Sequence, residues 1–268
     1  MTDRTGGSRS EAGRIRVHIE SRPAGEIAFL TIDRPAKLNA LSPGLIGQME
    51  ASVRRLHGRK ALRALVVTGA GERAFVGGAD IVAMSGFERD GAVAFITALH
   101  RAIDAVRRLP VPVIARIDGF CLGAGLELAA ACDLRLASEQ ARFGMPEVKV
   151  GMPSVIEAAL LPRLVGAGRA ARLVLLGEVL AAPEALAIGL VDRVCPASTL
   201  DRALEDWLGH ILAAGPEALR LQKKLLADWQ ELPLSDAIEA GIASFGQAYA
   251  SGEPQRMTAA FLARTRRT

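Results

Sequence analysis

Apolar and polar residues alternate from Arg14 to Ser21, where Ile15, Val17 and Ile19 share one face, as in a half-buried strand. Ala24-Gly25 makes a turn, and Ile27–Ile32 reads as a second strand completing a hairpin. The period then changes. Pro35 ends the strand, Ser42 and Pro43 supply an N-cap and a first helical residue, and Leu45, Ile46, Met49, Val53 and Leu56 recur at helical spacing up to His57. Leu62–Thr68 is a strand closed by Gly69-Ala70-Gly71, and Gly91–Leu109 is an amphipathic helix stopped by Pro110 and Pro112. Val113–Ile117 is a short apolar run, expected as a buried strand, followed by a glycine-bearing turn at Gly119–Gly125 and a helix at Leu126–Cys132. Leu134–Ala137 and Val191–Val194 are further short strands, with helices near Gly168–Leu176 and Ala182–Ile188 between them. Ser154 followed by Glu157 has the spacing of a capping box. From about Ser198 only helices are predicted: Thr199–Ala214, Pro216–Trp229, Leu234–Ala250 and Pro254–Arg264. The pattern therefore predicts an α/β body over 14–197, a helical region over 198–268 and a polar, flexible leader over 1–13.

Composition narrows what such a chain does. No apolar run among the 268 residues reaches the length of a membrane span, and the N-terminal stretch has no apolar segment of a secretory signal, so a cytoplasmic protein is expected. Three cysteines without paired spacing and four scattered histidines predict neither a disulfide framework nor a metal site. A net charge of +4 suits a polyanionic small ligand, whereas 4% aromatic residues leave few stacking platforms for single-stranded nucleic acid.

The candidate chemistry lies in two glycine turns and two acids. Gly77-Gly78-Ala79 and Gly123-Ala124-Gly125 each bare backbone N–H groups, the second at a helix start. Glu127 is a lone carboxylate in an apolar first helical turn, which is costly unless it is paired, protonated or in use. Glu147 follows Pro146 at a strand end. The bland readings are a loop at Gly77–Ala79, a surface acid at Glu147, and a Glu127 neutralised by a buried arginine. Taken together, the four features fit a thioester that becomes an enolate. Amides of Ala79 and Ala124 would hold its oxygen, and two carboxyls would share one proton across a water. Nucleotide binding fits less well. No G-K-[ST] closes the loop after Gly119, and Gly123-x-Gly125 has Leu128 where a third glycine belongs, although Glu147 stands where a ribose-binding acid would. A serine-hydrolase elbow is missing.

RPAKLNAL at 34–41, AFVGGADI at 74–81, GFCLGAGLEL at 119–128 and FGMPEVKVG at 143–151 resemble, in order and spacing, the crotonase superfamily of enoyl-CoA hydratases and isomerases. The resemblance implies a crotonase-like spiral of ββα turns with a C-terminal helical trimerisation region, and trimers that often pair into hexamers. It implies an oxyanion hole from the N–H groups of Ala79 and Ala124, with Glu127 and Glu147 as catalytic acids that add water to a trans-2-enoyl-CoA. It places acyl-CoA contacts at Ala36, Lys37, Leu38, Ala40, Gly78, Asp80, Ile81, Leu122, Gly123, Pro146 and Gly151, and at Phe261 and Arg264 near the end. No metal and no cofactor beyond the substrate's coenzyme A is implied. The family usually shows a glycine-rich run after Pro153; this chain has Ser154–Leu160 there, in a stretch implied to lie near the acyl pocket. Other crotonase-type reactions, namely double-bond isomerisation, dehydration or C–C hydrolysis, share the scaffold. A non-catalytic RNA- or protein-binding oligomer is the remaining alternative.

Overall fold

The structure, a computed structural model, describes residues 12–265, apart from the side chain of Arg264. The hairpin forms as the alternation predicts: β1 (Arg14–Arg22) pairs antiparallel with β2 (Gly25–Asp33). Helix α1 (Pro43–His57) follows, its N-terminus capped by the Ser42 side chain accepting from the Leu45 amide. The chain then repeats one manoeuvre three times. A long strand in one sheet runs into a three-residue strand in a second sheet. These pairs are β3 (Leu62–Gly69) with β4 (Ala74–Val76), β5 (Val113–Ile117) with β6 (Phe120–Leu122), and β7 (Leu134–Ser138) with β8 (Arg142–Gly144). Between the pairs lie α2 (Ile81–Met84), α3 (Arg89–Arg107) and α4 (Ala124–Ala131). The six-stranded sheet has the order β1-β2-β3-β5-β7-β10, with β10 at Arg193–Cys195, and is parallel from β2 onward. The four-stranded sheet is β4-β6-β8-β9, with β9 (Val179–Ala181) antiparallel at its edge. This is a spiral of ββα turns.

Both faces of the large sheet are buried, and strand parity assigns residues to them. Leu65, Val67, Val113, Ala115 and Ile117 join α1, α3 and α4 in the main core. Ala64, Val66, Ile114 and Leu136 face the other way and meet Leu200, Ala203, Leu204, Leu208 and Ile211. Those last residues line one stripe of α8 (Leu200–Ala213), which follows α5 (Leu161–Val165), α6 (Ala167–Leu176) and α7 (Ala182–Ala187). Burial on both faces explains why the inner strands read as unbroken apolar runs. Helices α9 (Pro216–Glu231), α10 (Leu234–Ala250) and α11 (Glu253–Thr265) complete the chain.

Several local expectations change. The turn expected at Gly119–Gly125 contains β6, because Phe120–Leu122 finds partners in β4 and β8 that no local signal announces. Helix α4 starts at Ala124, before Leu126, and α3 spans Arg89–Arg107 rather than Gly91–Leu109. The Ser154–Glu157 capping box does not form. The segment is a 3-10 turn, Ile156–Leu160, without a side-chain cap. Ile156 lies at φ 41°, which breaks the helical spacing the box requires, and both of its side chains have tertiary partners instead. The leader expected at 1–13 lies almost wholly outside the described residues. Among those residues no helix is long and apolar enough to cross a membrane.

Candidate active site

The two glycine turns meet. A Cβ built on Gly123 would stand 3.9 Å from the Cα of Gly78 and 2.5 Å from Oε1 of Glu147. Gly123 holds φ 51° and donates its own N–H to the Gly144 carbonyl, fixing the start of α4. The amides of Leu126 and Glu127 return to the Gly123 carbonyl. Ala124 opens the helix, where the N–H has no intrahelical acceptor. On the opposite turn, the Gly78 carbonyl accepts from Leu41, and the Asp80 amide donates to the Leu41 carbonyl. Among the described residues, neither the Ala79 nor the Ala124 amide donates to any turn, loop or cap acceptor.

The stretch Arg34–Leu41 braces the Ala79 turn. The Leu38 carbonyl accepts from Gly77, and Arg34 Nη1 donates to Asp80 Oδ2 at 2.6 Å and to the Ala40 carbonyl at 3.2 Å. Leu38 and Asn39 both lie in the left-handed region, at φ 52° and 56°. Asn39 stabilises that bend, accepting from the Arg34 amide and donating to the carbonyls of Ala70 and Ala74. Asp80 also caps α2 through the amides of Val82 and Ala83.

Both turns and both acids line one largely apolar cavity of about 420 Å³. Gly78, Ala79, Ile81, Gly123, Ala124, Glu127, Pro146 and Glu147 are all on its wall. The remaining wall includes Met84, Val93, Phe95, Ile96, Leu99 and Val155. Ala36, Lys37, Leu38, Ala40, Asp80, Leu122 and Gly151 do not line it. Ala36 and Lys37 are exposed, and Leu38 and Asp80 act on the wall through the brace. Phe261 is exposed on α11 and does not reach the cavity, and the side chain of Arg264 lies outside the described residues.

Glu127 is buried, and among the described residues no arginine is bonded to it. Burial pushes its carboxyl up to about 8. The charges of Glu147 and Glu157 add to the rise, and the amides of Ala158 and Val155 oppose it. Its solution to the burial problem is therefore protonation. Glu147 is half-buried on the 3-10 turn Pro146–Val150, and Ser154 Oγ donates to its Oε2 at 2.9 Å. The sequence assigned no role in this site to Arg34 or Asn39, although both lie in the 34–41 stretch, and it gave Ser154 a capping role in a stretch implied to lie near the acyl pocket. Asn39 carried a local signal, a polar residue between Leu38 and Ala40. Among the described residues no group of three or more His, Cys, Asp or Glu is placed to hold a metal.

Residues 22–267 match the family model described as enoyl-CoA hydratase/isomerase. A short-chain-enoyl-CoA hydratase of Clostridium acetobutylicum is 34% identical over 239 residues, covering 89% of this chain and 92% of that one. A crotonyl-CoA hydratase of Syntrophomonas wolfei is 34% identical over 238 residues, covering 88% and 92%. The crystal structure of an enoyl-CoA hydratase from Bacillus anthracis superposes with a TM-score of 0.87 at 28% identity, over 92% of this chain and 96% of that one. With the match spanning the spiral, both glycine turns and both acids, the chain belongs to the enoyl-CoA hydratase/isomerase family.

Proposed function

We infer that the protein adds water to a trans-2-enoyl-CoA to give a 3-hydroxyacyl-CoA. The observation that carries this reading is the convergence of two unused amides and two carboxyls on one apolar cavity. The acyl chain lies against the apolar wall. Its thioester oxygen sits between the Ala79 and Ala124 amides, whose donation strengthens as the oxygen gains charge in the enolate; one such donor is typically worth about 3 kcal/mol in the transition state. A water lies between Glu127 and Glu147. The pair holds one proton, since close carboxyls do not both ionise freely. In the free protein that proton rests on Glu127, and the bridging water passes it to Glu147. As the water oxygen bonds to the β-carbon, Glu127 takes the proton that the water loses and Glu147 gives its own to the α-carbon. The pair begins and ends with one proton, so the addition balances without a redox partner, and coenzyme A arrives with the substrate.

Loss of the conjugated-thioester absorbance, followed with short, long and branched trans-2-enoyl-CoAs, tests the reading. Glu127→Gln and Glu147→Gln should each lower kcat well over tenfold while the thioester still binds. If no enoyl-CoA in the panel is hydrated, the protein runs another of the scaffold's reactions. If either variant keeps full turnover, that acid has no part in the step.

A further inference from the structure

A third acid is buried on the turn that packs against the Glu127 helix. Glu157 is 5% exposed, and its Oε2 has no hydrogen-bond partner among the described residues. Its Oε1 lies 2.8 Å from Nδ1 of His100, a half-exposed residue on α3 one position after the cavity-lining Leu99. The stretch Ser154–Ala158 wraps the pair. Ser154 bonds Glu147, the amides of Val155 and Ala158 act on Glu127, and the turn Ile156–Leu160 packs against α4, which carries Glu127. Ile156 makes this possible at a cost. A β-branched residue at φ 41° is strained, and such strain persists where the surroundings impose it. The Ile156 bend immediately precedes the buried acid, Glu157. An unpartnered buried carboxyl oxygen is expensive, and nothing in the hydration step uses it.

We propose that Glu157, held by His100, is a positioning residue whose carboxylate faces Glu127 from behind the cavity and sets the pH range over which the reacting pair keeps its single proton. The proposal rests on the reading of Glu127 as a reacting acid. The titratable groups acting on Glu157 are His100 and Asp104 from α3, and Glu127 on α4 is acted on by both Glu157 and Glu147. Asp104 is already engaged by Arg107 and Arg108. A negative charge at Glu157 makes ionisation of Glu127 harder, so the active, singly protonated pair survives to higher pH.

The test is the pH dependence of kcat/KM for the parent, Glu157→Gln and Glu157→Met, with crotonyl-CoA as probe. Both variants remove the charge, and methionine suits a buried site. The alkaline limb should move down by about half a pH unit or more in each, with KM at pH 7 changed less than twofold. Glu157→Asp, which keeps the charge, should restore part of the shift. If one neutral variant does not fold, the other decides. A folded variant with an unmoved limb, even one of lower thermal stability, makes Glu157 purely structural and overturns the proposal. A parent inactive on every enoyl-CoA overturns the underlying reading instead, and the two failures are told apart by the parent alone.

Discussion

At the scale of single residues, Glu127 trades stability for chemistry. Burial pushes its carboxyl up to about 8 in the folded protein, from an ordinary 4.5. Between these values the folded protein binds a proton that the unfolded chain does not, so stability falls as pH rises through the window and levels off above it. Glu127→Gln should therefore raise Tm, by more at pH 8 than at pH 5, and thermal unfolding at the two values measures it. An equal change at both would show that Glu127 is ordinarily ionised. Gly123 is a second such residue. An alanine there would hold φ 51° unfavourably and press its Cβ on the Glu147 carboxylate. Gly123→Ala should lower kcat more than tenfold with a stability loss of about 1–3 kcal/mol, read by steady-state kinetics beside denaturant unfolding. Both acids and this glycine were legible from the sequence. A charge in an apolar helical turn and a glycine before a helix start are local irregularities, visible without knowing what they face. Ser154 and Glu157 were misread, because their spacing satisfied a local rule while their partners, Glu147 and His100, come from other elements.

Elements were legible in proportion to their periodicity. Helix α1, with five apolar residues at helical spacing and a serine–proline start, has the expected bounds. The three-residue strands were harder. Phe120–Leu122 is too short to show a period, and its strand character comes from pairing with β4 and β8. Helix α8 shows how packing extends past a change in pattern. It opens the helices-only region, yet its apolar stripe forms half of the core on the sheet's second face. Leu208 is fully buried there. Leu208→Ala should destabilise the protein by about 2–5 kcal/mol, measured by urea unfolding, without altering KM, since the helix does not line the cavity.

For the whole molecule, the telling surface is on α10. Leu234, Ile238, Ile242, Phe245 and Tyr249 recur at helical spacing and are 77, 55, 63, 68 and 48% exposed in the single chain. A stripe of this size marks an interaction surface. Self-association through this face is the expected outcome, and light scattering on the purified protein measures it. Ile242→Glu with Phe245→Glu should shift the mass toward the monomer, and an unchanged mass would place the interface elsewhere.

The sequence by itself determined the alternation of strands and helices, the two glycine turns and the presence of two unexplained acids. These are written in local spacing and in residue types that physics restricts wherever they occur. Only the folded arrangement makes the turns face each other, sets Arg34–Leu41 as a brace for one of them, and buries a third carboxyl on the turn packed against α4. Each of those depends on distance between segments remote in the chain, and the electrostatics of Glu127 depend on which charges and how little water that folding leaves around it.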